Sequence, residues 1–337
     1  MKFFTVTMLC LFFFFQGKPS LAAVDKGGDL ATPAVAFPCQ EDSAVKKAFS
    51  FVSIENNNDY PEEFNIDCDT IKRLAQIANE LNDMTKLKEK FNLEIVSVYN
   101  SVAYDRSEKR IYLMKYYEDL LQAKPELAAD NTFHRDVMES FYVHEYGHHL
   151  VYNWVDEHLT HMYEKLDDQA DLSNERMDNF VEVLQAKEKA FRLLKSYSEL
   201  FSDIFELLYT DQPKLTSEFI KIVFKDNLRA STRDFTYDHD ISIWQNCQEH
   251  ARFAPIRSHF YKYIYKIDFT KKEKLKILKT LFHIMLKEME KFSNEYDCWG
   301  YTDGDSSPMT IEMNESFVAA LNKAFNIPVA EVKNPYF

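Results

Sequence analysis

Phe141-Tyr-Val-His144-Glu145-Tyr-Gly147-His148-His149-Leu150 lies within a helical pattern that begins near Asn131 and runs to about Leu166. Residues four apart on a helix share a face, so His144 and His148 point the same way and can hold one metal ion between them. Glu145 sits one step round, where its carboxylate reaches a water on that ion. Zinc would lower the pKa of the water, and the carboxylate would take its proton and pass it to a leaving group. Val143, Gly147, Leu150, Val151 and Trp154 give the helix apolar neighbours. They imply burial, and two imidazoles without partners are costly in such a place. Gly147 weakens a helix interior by about 1 kcal/mol, so its presence points to close approach of another backbone.

A catalytic zinc site needs a third protein ligand and a position left open. The glycine and third histidine of a metzincin-type motif would fall at Val151 and Trp154, which excludes that class. Further on, Ser198-Glu199-Leu-Phe-Ser202-Asp203 sets two carboxylates four apart on one helical face. One can bind the ion while the other orients a ligand imidazole. Glu157, Glu164 and Glu182 are rivals, although the first two lie along the motif helix and would not turn back to the ion.

HEYGH followed by a helix bearing Glu-x-x-Ser-Asp resembles the gluzincin metallopeptidases, the thermolysin-like clan. The resemblance implies that His144, His148 and Glu199 are zinc ligands and Glu145 the general base. It also implies that Asp203 hydrogen-bonds a ligand histidine, and that an edge strand beside the cleft pairs with an extended peptide. It covers these two helices only. The gap between them is longer than in thermolysin, so the likeness is to the clan and not to that family.

A hydrolase also needs a donor for the developing oxyanion. His250 and Arg257 are the candidates within His250-Ala-Arg252-Phe-Ala-Pro-Ile-Arg257-Ser-His259, with Tyr237 and His239 shortly before them. Arg252 and Arg257 read equally well as partners of surplus carboxylates. His149, His158 and His161 read as structural or exposed, and Asp303-Gly304-Asp305 as a turn.

The fold class expected is mainly α with a small β-sheet, a zincin-like α+β arrangement with the metal between the motif helix and the Glu199 helix. A helix after Asp69 carries Ile71, Leu74, Ile77, Leu81, Met84 and Leu87 on one face. Strands are expected over 93–98 and 110–114, with a turn at Asp105-Arg106-Ser107 between them. Later helices are expected over 179–195, 198–209, 213–224, 270–292 and 314–325, with Thr270 and Glu273 in capping-box register. Residues 227–260 show no clean period. Only 6 Gly and 10 Pro in 337 residues exclude a low-complexity chain.

The N-terminus reads as a secretory signal. Lys2 precedes the apolar run Met8 to Phe15, and Ser20-Leu21-Ala22 offers a cleavage site after Ala22. The expected organisation is a signal peptide over 1–22, a loosely structured segment over 23–61 and a zincin-like domain over 62–337. That domain would divide into an N-lobe, 62–166, and a helical C-lobe, 167–337. The mature chain keeps Cys39, Cys68, Cys247 and Cys298, which permits two disulfides. Cys39–Cys68 and Cys247–Cys298 is the pairing expected, since each closes a local loop. A net charge of −14 argues against nucleic acid or an anionic membrane as partner. The expected function is that of an exported zinc metallopeptidase, periplasmic or secreted, acting on peptides or proteins. The alternatives are a metal- or partner-binding protein without turnover, and a zinc amidohydrolase acting on cell-wall amides.

Overall fold

The computed structural model describes Cys39 and residues 41–54, 68–87, 90–96, 102–114, 131–168, 175–223, 225–293 and 306–328. The signal peptide expected over 1–22 and the turn expected at Asp303–Asp305 lie outside the described residues. So do the side chains of Glu157, His158, His161, Glu164 and Glu182.

The architecture is mainly helical with one small sheet. Helix α1 (Ser43–Ala48) begins under Asp42, whose carboxylate accepts from the backbone N–H groups of Ala44 at 2.8 Å and Val45 at 3.3 Å. This caps two donors that the first turn leaves open. Strand β1 (Phe49–Ile54) follows directly, and helix α2 (Cys68–Thr85) crosses to strand β2 (Phe91–Val96). Strands β3 (Ala103–Asp105) and β4 (Arg110–Met114) complete the sheet, in the order β1-β2-β4-β3. β1, β2 and β4 are parallel; β3 runs antiparallel to β4 and forms an outer edge. A parallel pair needs a crossover, and α2 supplies one between β1 and β2.

Phe91, Leu93, Ile95, Ile111 and Leu113 are buried from this sheet. The Phe91 ring lies 5.2 Å from that of Tyr146 and 4.3 Å from that of His149, so the sheet packs against the motif helix. That helix, α3, spans Asn131–Asp168, and α4 spans Glu175–Thr210. They come close at Gly147, where an added Cβ would meet Ser202 Cα and Oγ at 2.8 Å. α5 (Leu215–Val223), α6 (Asn227–Thr232), a 3-10 turn at Ile241–Ile243, α7 (Ala254–Tyr263), α8 (Lys271–Phe292) and α9 (Met309–Phe325) follow. The capping box of Thr270 and Glu273 at α8 is present.

Four elements differ from the expectation. The helices expected over 179–195 and 198–209 are one continuous α4. Ser196 and Ser198 at the supposed break are buried; Ser196 donates back to the Arg192 carbonyl one turn earlier and accepts from Arg252, and Ser198 bonds His148, so neither hydroxyl competes for the helix backbone N–H groups. The stretch 227–260 contains α6 and the start of α7, which opens on Pro255 in its first turn. The strand partner reached through the turn after Asp105 is the three-residue β3, while β2 and β4 lie parallel. Residues 43–54, expected as loose, form α1 and β1; only Phe49 and Val52 of β1 are buried, so no clear alternation marks the strand.

A Cys39–Cys68 disulfide ties the turn before α1 to the start of α2. Cys247 is also disulfide-bonded, and Cys298 lies outside the described residues. Disulfides fit an oxidising compartment. Among the described residues no helix is long and apolar enough to cross a membrane.

Candidate metal centre

α3 and α4 bring together the residues singled out in the sequence. His144 and His148, one turn apart on α3, face each other with their Nε2 atoms 3.1 Å apart. Glu199 of α4 presents Oε2 at 3.4 Å from His144 Nε2 and Oε1 at 3.4 Å from His148 Nε2. All three side chains are buried. At 3.1 Å one of the two facing nitrogens must offer a lone pair, and a cation between them would use both.

The two imidazoles are held from behind. His148 Nδ1 lies 2.7 Å from Ser198 Oγ. His144 Nδ1 lies 3.1 Å from Asp203 Oδ1 and 3.5 Å from Glu206 Oε2. A partner on Nδ1 fixes ring orientation and keeps Nε2 directed at the ion. Asp203 is therefore beside His144, a candidate ligand. Glu199 is steadied in turn by His250 Nδ1 at 2.8 Å.

Glu145, next to His144, is buried, and the backbone N–H of Tyr104 on edge strand β3 donates to it. Burial pushes its carboxyl up to about 7; Glu199 adds to the rise, while His144 and Arg233 oppose it. Burial drives the His148 imidazole down to about 3. The same burial acts on His144, but Asp203, Glu199 and Glu206 outweigh it and hold this imidazole well above its ordinary range. Burial would also raise Glu199, yet His250 and His148 hold it well below the usual carboxylate range.

The donor set fits a divalent ion. Ligand atoms bound tetrahedrally at 2.0–2.1 Å stand about 3.3 Å apart, close to the separations of 3.1 and 3.4 Å found here. The charge balance agrees. Glu145, Glu199, Asp203 and Glu206 are buried beside two buried guanidiniums, Arg233 and Arg257. With both imidazoles neutral, the form that binds a metal, this would leave two negative charges in excess, which a dication would offset.

No family model, curated protein or solved structure matches this chain. The centre is therefore read from its own chemistry. Arg257 is fully buried, with Nε and Nη2 each 2.5 Å from Asp203 Oδ2. That is the carboxylate pairing weighed in the sequence, and it commits this guanidinium to Asp203. Arg252 bonds Ser196 Oγ at 2.6 Å and the carbonyl of Cys247. His239 is held to the Ser231 carbonyl at 3.0 Å, and Tyr237 is exposed. His149 is buried away from the ligand pair, beside the Tyr104 hydroxyl at 2.7 Å and Asn153 Nδ2 at 2.8 Å.

Three participants were missed. Glu206 stands three residues beyond Asp203 on α4, a spacing that places it on the same face. Ser198 belonged to the quoted motif without a role. Arg233 follows directly on α6 in a stretch without period, and nothing in the sequence pattern marks it.

Proposed function

We propose that this chain is a metal-dependent hydrolase of peptide bonds, with a zinc ion held by His144, His148 and Glu199. The observation that carries the reading is the buried convergence of two Nε2 atoms and one carboxylate, 3.1 to 3.4 Å apart, with Glu145 adjacent. Two imidazoles and a carboxylate suit zinc better than calcium or magnesium, which take oxygen donors. A zinc ion bound there supplies Lewis acidity toward water and toward a scissile carbonyl.

The rest of the chemistry belongs to the side chains. Glu145 accepts a proton on its carboxylate and returns it to the departing amine, while the Tyr104 N–H keeps it aimed. Asp203 and Ser198 hold the imidazoles in register. His250 is the most open member of the group, its side chain 23% exposed against 6% for His144. We assign it contact with the carbonyl oxygen of the substrate. Arg257 acts in this reading by holding Asp203.

Peptide as the substrate class rests on β3 and on the gluzincin resemblance. An extended chain laid along this edge strand passes beside Glu145. The disulfides support action outside the cytoplasm.

The test combines zinc content with cleavage of unfolded casein. Wild type should hold one equivalent and cleave, Glu145→Gln should hold zinc without cleaving, and Glu199→Ala should lose the metal. Cleavage of cell-wall amides but not casein would favour the amidohydrolase. A wild type that binds no zinc would sink the reading.

A further inference from the structure

The imidazole of His144 stands between two places where a cation can sit. On its Nε2 side are His148 and Glu199. On its Nδ1 side, Asp203 and Glu206 complete a second buried group whose donor atoms lie within bonding range of one ion. Arg233 occupies that second place. Its Nη2 lies 2.5 Å from Asp203 Oδ1 and 3.4 Å from His144 Nδ1. Its Nη1 reaches 2.9 Å from His250 Nδ1 and 3.5 Å from Glu199 Oε2.

We propose that Arg233 is a built-in cation that closes the Nδ1 locus and restricts the centre to a single metal ion. The proposal rests on reading His144, His148 and Glu199 as the metal site.

Two physical points support it. A guanidinium stays charged at any pH a folded protein meets, so it is a permanent occupant independent of metal supply. It is also a donor only. A side chain with no lone pair cannot recruit a metal ion to the place it fills.

The other sides of the second locus are already taken. Arg257 holds the far oxygen of Asp203 at 2.5 Å. Ser140 and Thr216 donate their hydroxyls to Glu206 Oε1, the latter at 2.6 Å. Arg233 is thus the partner whose loss would bare Asp203 Oδ1 toward His144, beside Glu206 Oε2. Its loss would also raise the buried negative excess by one charge, in surroundings where a free dication is the simplest replacement.

The experiment counts metal ions. Purified wild type and Arg233→Ala are loaded with Zn2+ or Co2+, freed of excess by gel filtration and analysed for metal per chain. Wild type should hold one equivalent and Arg233→Ala two, with the cobalt absorption per chain rising about twofold. Arg233→Ala combined with Glu206→Gln should return to one, because the second locus loses a donor while the first is untouched. Arg233→Lys, which keeps a cation, should stay at one. Circular dichroism checks folding; if the alanine variant does not fold, Arg233→Gln can still donate to Asp203 and carries the same expectation of two. A folded Arg233→Ala or Arg233→Gln that binds one ion overturns the proposal and leaves the metal reading standing. Two ions in the wild type also overturn it alone, whereas no ion in the wild type removes both.

Discussion

Gly147→Ala tests the contact between the helices that carry His144 and Glu199. In a helix interior alanine is favoured over glycine by about 1 kcal/mol, so propensity alone predicts a more stable protein. The structure predicts the reverse. The new methyl would lie 2.8 Å from Ser202 Cα and Oγ and 3.0 Å from Ser202 Cβ, against about 3.5–4.0 Å for relaxed carbon contacts. The near atom is backbone, so α3 and α4 must part by the better part of an ångström. Overpacking of this kind costs about 1–3 kcal/mol, leaving a net loss of about 1 kcal/mol after the propensity gain. The effect on the centre should be larger than the effect on stability. His148 is the next residue on α3, and Glu199 and Asp203 flank Ser202 on α4, so the same shift opens ligand separations of 3.1 to 3.4 Å. Zinc affinity should fall tenfold or more, on the scale seen when ligand support is lost. Urea unfolding of the metal-free chain and zinc competition against a chromophoric chelator measure the two effects separately. Ser202→Gly added to Gly147→Ala removes the Oγ and Cβ contacts but not the Cα one, so recovery should be partial. A Gly147→Ala protein about 1 kcal/mol more stable than wild type, with unchanged zinc affinity, would refute the reasoning.

Other perturbations probe the rest of the frame. Arg257→Met strands Asp203 without one of its two buried guanidiniums and should cost about 3–5 kcal/mol in urea unfolding; a loss under 1 kcal/mol would mean that Arg233 alone suffices. Cys39→Ser together with Cys68→Ser opens a loop of 29 residues and should cost about 3 kcal/mol, read as a lower urea midpoint. His259, bonded through Nε2 to Asn322 at 2.8 Å, is held below its ordinary pKa by burial. Its contribution is therefore complete above about pH 6.5, the unfolded value, and is lost as pH falls through the folded one. Stability should drop more between pH 7.5 and 5.5 in wild type than in His259→Gln, and equal drops would assign the acid sensitivity elsewhere.

What the sequence made legible follows from range. His144, Glu145 and His148 lie within one turn, and the period that makes them a helix also makes them a face. Glu199 and Asp203 show the same local logic on α4. Gly147 gave notice of a close backbone, although not that Ser202 would supply it. Arg233 had no such notice, because a buried guanidinium is recognised by what surrounds it, and its partners lie on α3, α4 and just before α7. Arg257 carried two readings, and only the three-dimensional placement against Asp203 separates them. Strand β1 shows the opposite difficulty: its fit in the sheet depends on pairing with β2, while its own residues show no clean alternation.

The countercharges of the centre come from far along the chain. Arg233 lies 89 residues beyond His144, and Arg257 lies 54 beyond Asp203. Contacts of that span form late, after the entropy of closing long loops has been met. A growing or half-folded chain can wind α3 early and set both histidines on one face. It cannot yet neutralise Asp203, and without that the imidazole of His144 has no fixed bearing. The cluster around His144 is thus incomplete until α6 and α7 have docked, so its assembly belongs to the last stage of the fold.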